Sequence, residues 1–153
     1  TQKTLTIIPI TVGYSWSDAP DCGTNLGWRK NNNICYYHND TDIVDFHTAM
    51  TRCYHEKASL VSIHSGDEQA YVNTMVDLEL PTWIGLSDIL LENHSYSWTD
   101  GWPVFFTQWG PGEPSNIKDE GCVSVHASRA FHGTWNDTRC DQAKPYVCKI
   151  SSG

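Results

Sequence analysis

The sequence predicts an α+β fold, and three observations carry that prediction. Helical patterning is concentrated between Asp45 and Val76. From Pro81 onward, short apolar runs alternate with Gly, Pro, Asp and Asn. Six cysteines are spread widely and none forms a CxxC pair, so a zinc ribbon or redox motif is not expected. The simpler reading is three disulfides formed in an oxidising compartment. Spacing alone leaves the pairing open.

In chain order, residues 1–21 have no helical period and contain Pro9, Gly13 and Pro20. They are expected to be a linker or arm, with the compact domain starting near Cys22. Asp45 is placed to cap a helix running to about Glu56. Phe46, Ala49, Met50 and Cys53 fall at i, i+3, i+4, i+7 and form its inward stripe. Leu60–Ile63 reads as a short strand. Ser65-Gly66-Asp67-Glu68 is a capping box opening a second helix to roughly Val76, with Val72, Met75 and Val76 inward. Beyond it, Trp83–Leu86, Ser97–Trp98, Val104–Phe106, Cys122–Val125 and Tyr146–Cys148 read as strands. The loop-heavy stretch between Ser87 and Cys122 is long enough to suggest function.

The chain has 153 residues, enough for one domain with a core. Seven Trp and seven Tyr supply much of its apolar bulk. A net charge of −8 without a Lys/Arg cluster argues against nucleic acid or an anionic membrane as partner. No apolar run is long enough to cross a bilayer, and Leu5–Ile10 is too short and interrupted for a signal peptide. The chain is expected to be a mature or excised piece of something larger. Asn39, Asn93 and Asn136 each open an Asn-x-Ser/Thr triplet, which supports an extracellular location.

Glu113, Glu120, Asn136 and Asp137 arrive at spacings that suit no single helix or strand. They suit loops folding together around a hard cation. Calcium takes roughly six to eight oxygen ligands and can share them with ligand hydroxyls.

At these residues the chain resembles the C-type lectin-like domains of the longer form, over roughly Cys22–Ile150. Trp83-Ile84-Gly85-Leu86 matches that family's WIGL strand. Glu113-Pro114-Ser115 stands where its sugar-selecting tripeptide lies, and Trp135-Asn136-Asp137 matches its WND strand. The resemblance implies two helices packed on short, mostly antiparallel strands, a long calcium-binding loop region and no catalytic role. It also implies the pairings Cys22–Cys35, Cys53–Cys148 and Cys122–Cys140. The arm, Trp98–Gly101 and Phe106–Trp109 are similar to the tandem domains of mannose-receptor-like endocytic receptors. Neighbouring domains of a larger receptor are then expected as partners.

The family's principal calcium site carries over onto Glu113, Ser115, Glu120, Asn136 and Asp137, with Pro114 cis. Glu113, Ser115, Glu120 and Asn136 would also meet vicinal sugar hydroxyls of the mannose, N-acetylglucosamine or fucose type. Ser115 departs from the pattern, because the family's mannose-type sites carry Asn there. A serine oxygen cannot serve a cation and a sugar as an amide does. A lost charge-assisted hydrogen bond costs about 1.5–3 kcal/mol, or roughly tenfold to a hundredfold in affinity. An auxiliary calcium site is half present in Asp88, Glu92 and Asn116, with Gly121 where an acid is common.

Trp83, Trp98, Trp109 and Trp135 are expected in the core rather than on a sugar-stacking platform. The seven His show no zinc-ligand spacing. Asn39 and Asn93 are expected to carry N-glycans, and Asn136 to be bare because a glycan would block the site. Two functions compete. One is calcium-dependent binding of a glycan or glycoprotein. The other is a protein-binding module in which calcium only shapes the loop. An endocytic role would add release on acidification as the carboxylates protonate. No Gly-x-Ser-x-Gly, His-Glu-x-x-His or phosphate loop supports an enzyme.

Overall fold

A computed structural model describes residue 22 and residues 27–76, 80–116, 120–127, 130 and 132–150. The expected arm, 1–21, and tail, 151–153, lie outside the described residues.

Strands β1 (Trp28–Asn31) and β2 (Ile34–Val44) form a hairpin that the sequence reading missed. Its turn is Asn32-Asn33, with φ of 51° and 63°. Asn tolerates the left-handed region, and two such residues match the twist of a two-residue hairpin. The flanking strands are polar enough to hide the alternation that normally marks a strand.

Helix α1 (Phe46–His55) is capped by Asp45, whose side chain accepts from the Thr48 N–H at 2.7 Å. Phe46, Ala49 and Cys53 are buried and Met50 is half-buried, which matches the expected stripe. Strand β3 is only Ser59–Leu60, shorter than the expected 60–63. Val61 still bonds to Val147, but at Ser62 the chain leaves the ladder and its carbonyl serves the Lys149 ammonium at 2.9 Å.

Helix α2 (Gly66–Met75) starts at Ser65, which accepts from the Glu68 N–H at 3.1 Å. The expected capping box closes differently. Glu68 Oε1 accepts from the His64 N–H at 2.8 Å instead of from Ser65. Its other oxygen is drawn into the core by Lys149 and Tyr36.

The remaining strands are β4 (Thr82–Ser87), β5 (Ser97–Trp98), β6 (Cys122–Val125), β7 (Trp135–Thr138) and β8 (Lys144–Ile150). They complete one sheet in the order β1-β2-β8-β4-β6-β7, with β3 on β8 and β5 on β4. The β4–β8 pairing is parallel and the others are antiparallel. Val104–Phe106 forms no strand, contrary to expectation. Val104 and Phe106 do pack on the core while Phe105 is 74% exposed, so the alternation is real. This stretch reaches the sheet only further on, where Trp109 makes an isolated parallel bridge to Trp135 at the β7 edge.

Gly85 shows why the WIGL strand carries a glycine. A Cβ there would stand 2.8 Å from both the Leu60 carbonyl and the Thr99 hydroxyl. Trp83, Trp98 and Trp135 are fully buried, and Trp109 is half-buried with its ring 5.8 Å from that of Trp135. The three disulfides join Cys22–Cys35, Cys53–Cys148 and Cys122–Cys140.

Among the described residues, one charged pair sits inside. Lys149 Nζ donates to Glu68 Oε2 at 2.7 Å, with the two side chains 3% and 10% exposed. Tyr36 OH donates to the same carboxylate oxygen at 2.6 Å. Burial alone would raise the Glu68 carboxyl, but the Lys149 and Tyr36 bonds outweigh it and hold it below the ordinary glutamate range. A lowered carboxyl stabilises the fold above its unfolded-state value, and that stability is lost as pH falls through the folded value. Glu68→Gln should therefore cost about 3–5 kcal/mol at neutral pH, because Lys149 stays buried and uncompensated. It should also flatten the acid limb of stability against pH, as read by urea unfolding at several pH values.

Candidate functional site

The site is built where a loop is tied to the end of the sheet. Gly110 N–H bonds to the Trp135 carbonyl at 2.8 Å, and Trp135 N–H bonds to the Gln108 carbonyl at 2.8 Å. These bonds hold the loop against the start of β7. A turn follows, closed by Glu113 N–H to the Gly110 carbonyl at 3.0 Å, with Gly112 at φ 79°. The Glu113–Pro114 peptide is cis, as the resemblance implied.

Ser115 is the meeting point. Its backbone N–H donates to Asp137 Oδ1 at 2.8 Å and lies 3.1 Å from Glu113 Oε1. Its hydroxyl lies 2.7 Å from Glu120 Oε1 and 3.1 Å from Asp137 Oδ1. Asn116 N–H donates to Asp137 Oδ2 at 2.8 Å. Three carboxylates, from the loop, from the approach to β6 and from β7, therefore converge on one serine. Among the described residues no three His, Cys, Asp or Glu side chains already stand as a metal cage.

Crowding marks the electrostatics. Burial first, then the hydrogen bond and charge of Asp137, push the Glu113 carboxyl up to about 7. Burial would raise Asp137 as well, but the Ser115 and Asn116 amides and the Glu113 carboxyl hold it low. The two carboxyls thus share a proton over the mildly acidic range.

Four of the five residues expected at the main site are brought together: Glu113, Ser115, Glu120 and Asp137. Asn136 is turned aside, its amide oxygen accepting from Ser124 Oγ on β6 at 3.3 Å. Successive residues of a strand face opposite ways, which separates Asn136 from buried Asp137. Sequence reasoning missed Tyr96. Its hydroxyl donates to Asp137 Oδ2 at 3.2 Å, and its ring meets Trp109 edge-on at 5.1 Å. No motif points to it, because it reaches the site from a separate loop.

The auxiliary set is less complete. Asp88 is half-buried, and burial followed by the charge of Asp137 raises its carboxyl, against the pull of His94. Glu92 is exposed, and no hydrogen bond or ion pair joins it to Asp88 or Asn116 among the described residues. The Asn116 amide is directed at the Pro114 carbonyl, 3.4 Å away. Gly121 has a steric reason: a Cβ there would overlap Asp88 Oδ1. The Asp88 carboxylate occupies the room that a side chain at 121 would need.

Residues 42–150 match the family model described as Lectin C-type domain. The chain is 34% identical over 134 residues to lymphocyte antigen 75 of Mesocricetus auratus, covering 85% of this chain and 8% of that protein. It is 39% identical over 100 residues to C-type mannose receptor 2 of Homo sapiens, covering 63% of this chain and 6% of that protein. Among solved structures, the C-type lectin domain of murine dendritic cell inhibitory receptor 2 in complex with N-glycan superposes with a TM-score of 0.77. That match is at 26% identity and covers 85% of this chain and all of that one. The chain thus spans only a small part of these curated relatives.

Two outcomes follow from the geometry. Gly121→Ala should destabilise the fold by about 1–3 kcal/mol through overpacking. Combining it with Asp88→Ala should recover part of that loss in a double-mutant cycle read by thermal unfolding. A raised carboxyl contributes stability that is full below its unfolded value and lost as pH rises through the folded one. Calcium-free protein should therefore lose stability from near the ordinary glutamate value of 4.5 up to about 7. Glu113→Gln should abolish that slope.

Proposed function

Because the chain belongs to the C-type lectin domain family, we propose that it binds glycans through a calcium ion held by Glu113, Glu120 and Asp137. Its class is a carbohydrate-recognition module and not an enzyme. The observation that carries the proposal is the convergence of those three carboxylates on Ser115. The donors are all oxygen, with no His or Cys among them, as a hard cation requires. Burial first, then the hydrogen bond and charge of Asp137, raise Glu113 to about 7, and a divalent cation would relieve the like-charge part of that cost. Bound there, calcium would offer open positions to two vicinal hydroxyls of a mannose-, N-acetylglucosamine- or fucose-type sugar. Glu113 and Glu120 would accept from those hydroxyls. Asn136 would have to leave Ser124 to join them. The reading commits to one ion, since Asp88 fills the space beside Gly121 and Glu92 stands apart.

The domain is read as extracellular, within a larger cell-surface or endocytic receptor. That placement is supported by its three disulfides and its receptor relatives. No helix among the described residues is long and apolar enough to cross a membrane.

A second reading is favoured by Ser115 itself. Its single hydroxyl stands against Glu120 and Asp137 where an amide would serve both the ion and a sugar, so calcium would shape the loop without completing a sugar-binding set. In that case the domain would bind a protein ligand instead. Calorimetric titration separates the two. Calcium heat followed by mannose, fucose or N-acetylglucosamine heat supports the first reading. Calcium heat with no sugar response supports the second, and no calcium heat removes the proposed ion. Under the first reading, Ser115→Asn should tighten sugar binding by roughly tenfold or more by restoring an amide carbonyl and donor. Calcium affinity should also fall as pH drops below about 7, because Glu113 must be deprotonated to bind the ion.

A further inference from the structure

The loop after β4 exposes three consecutive apolar residues, Ile89 at 57%, Leu90 at 42% and Leu91 at 45%. An uninterrupted exposed apolar run needs a reason. Two residues on stands Asn93, the first residue of an Asn-His-Ser triplet. The loop turns there, with the His94 N–H bonded to the Leu91 carbonyl at 3.0 Å and His94 at φ 59°. That turn sets Asn93 beside the apolar run. Asn93 is exposed, and its Oδ1 accepts from the Ser95 N–H at 3.0 Å. Its Nδ2 carries no hydrogen bond among the described residues.

The other two triplets are held differently. Asn39 is half-buried in β2, and its Nδ2 faces the hydroxyls of Tyr37 at 3.2 Å and Tyr146 at 3.5 Å. Its Oδ1 accepts from Thr41 N–H and Oγ1 and from Asp42 N–H, at 3.0, 3.1 and 2.9 Å. A glycan on Asn39 would displace the tyrosine contacts at the β2–β8 seam. Asn136 lies in β7 with its amide oxygen on Ser124. Asn39 and Asn136 are half-buried within strands, whereas Asn93 is exposed on a loop and its Nδ2 meets no partner among the described residues.

We propose that Asn93 is the N-glycosylated residue of this domain and that its glycan covers the Ile89–Leu91 surface. In the transfer, Asn93 Nδ2 bonds to the anomeric carbon of an oligosaccharide carried on a lipid pyrophosphate. The anomeric C–O bond to the pyrophosphate breaks, the lipid pyrophosphate leaves with the electron pair, and the amide gives up one proton. The innermost N-acetylglucosamine units offer apolar ring faces and acetyl groups to the isoleucine and leucines, which removes that surface from water.

The full chain, secreted from cells with an N-glycosylation pathway, tests both parts by peptide mass spectrometry and dye binding. Glycan mass should appear on the Asn93 peptide and be absent from the Asn39 and Asn136 peptides. An unmodified Asn93, or a glycan on Asn39 in the folded protein, overturns the assignment. Enzymatic removal of the glycan from the folded protein should then raise the fluorescence of a hydrophobic-surface dye. The rise should vanish in Leu90→Ser/Leu91→Ser protein. Dye fluorescence unchanged by deglycosylation overturns the covering role. Neither readout uses calcium or a sugar ligand, so the result is independent of the proposed lectin site.

Discussion

Strand β8 is the constraint on which the rest of this structure depends. It pairs with β2 on one edge, with β4 on the other, and with the short β3. Through Cys148 it is also bonded to Cys53 of α1, across 95 residues of chain. Closing a loop of that length removes unfolded-state freedom worth about 4–5 kcal/mol in the chain-entropy view. With β8 in place, β4 lies buried along its whole length, and β4 in turn carries β5 and β6. The loops that make the candidate site leave from and return to β4, β6 and β7, so their positions descend from this one strand.

The same strand explains the buried Lys149–Glu68 ion pair. Lys149 follows Cys148 and emerges inside the domain, where Glu68, Tyr36 and Ser62 meet it. A capping residue is thereby given a second task. Glu68, in the first turn of α2, caps the His64 N–H and also neutralises a buried ammonium, which ties the helix start to the sheet. Trp135 ties the opposite side, its indole N–H bonded to Gln69 of α2 at 2.6 Å.

At the site, Asp137 organises the loop. Its two oxygens receive the Ser115 and Asn116 amides and the Tyr96 hydroxyl. A residue named by its motif as a cation ligand is therefore also the anchor of the cis-proline loop. Ser115 completes the arrangement by bridging Asp137 and Glu120. A longer amide in its place would have to find another position, so the serine is coupled to the geometry of the whole acidic cluster.

What the sequence by itself determined was whatever rests on local chemistry or on several motifs in order. The caps at Asp45 and Ser65, the inward stripes of both helices, the buried tryptophans and the family were legible because each is written within a few neighbouring residues. The disulfide pairing was legible only through the resemblance. Tertiary structure decided the rest. The β1–β2 hairpin is hidden in a polar stretch whose partner strand is β8, far along the chain. Val104–Phe106 alternates but forms no strand, and its stretch of chain meets the sheet only at Trp109. Asn136 turns to Ser124 while Asp137 turns to the loop, and Tyr96 arrives with no motif to announce it. Gly121 is small because Asp88 occupies its space, and Asn39 differs from Asn93 because two tyrosines face its amide. Each of these depends on groups brought together from distant parts of the chain, and neither periodicity nor spacing records such contacts.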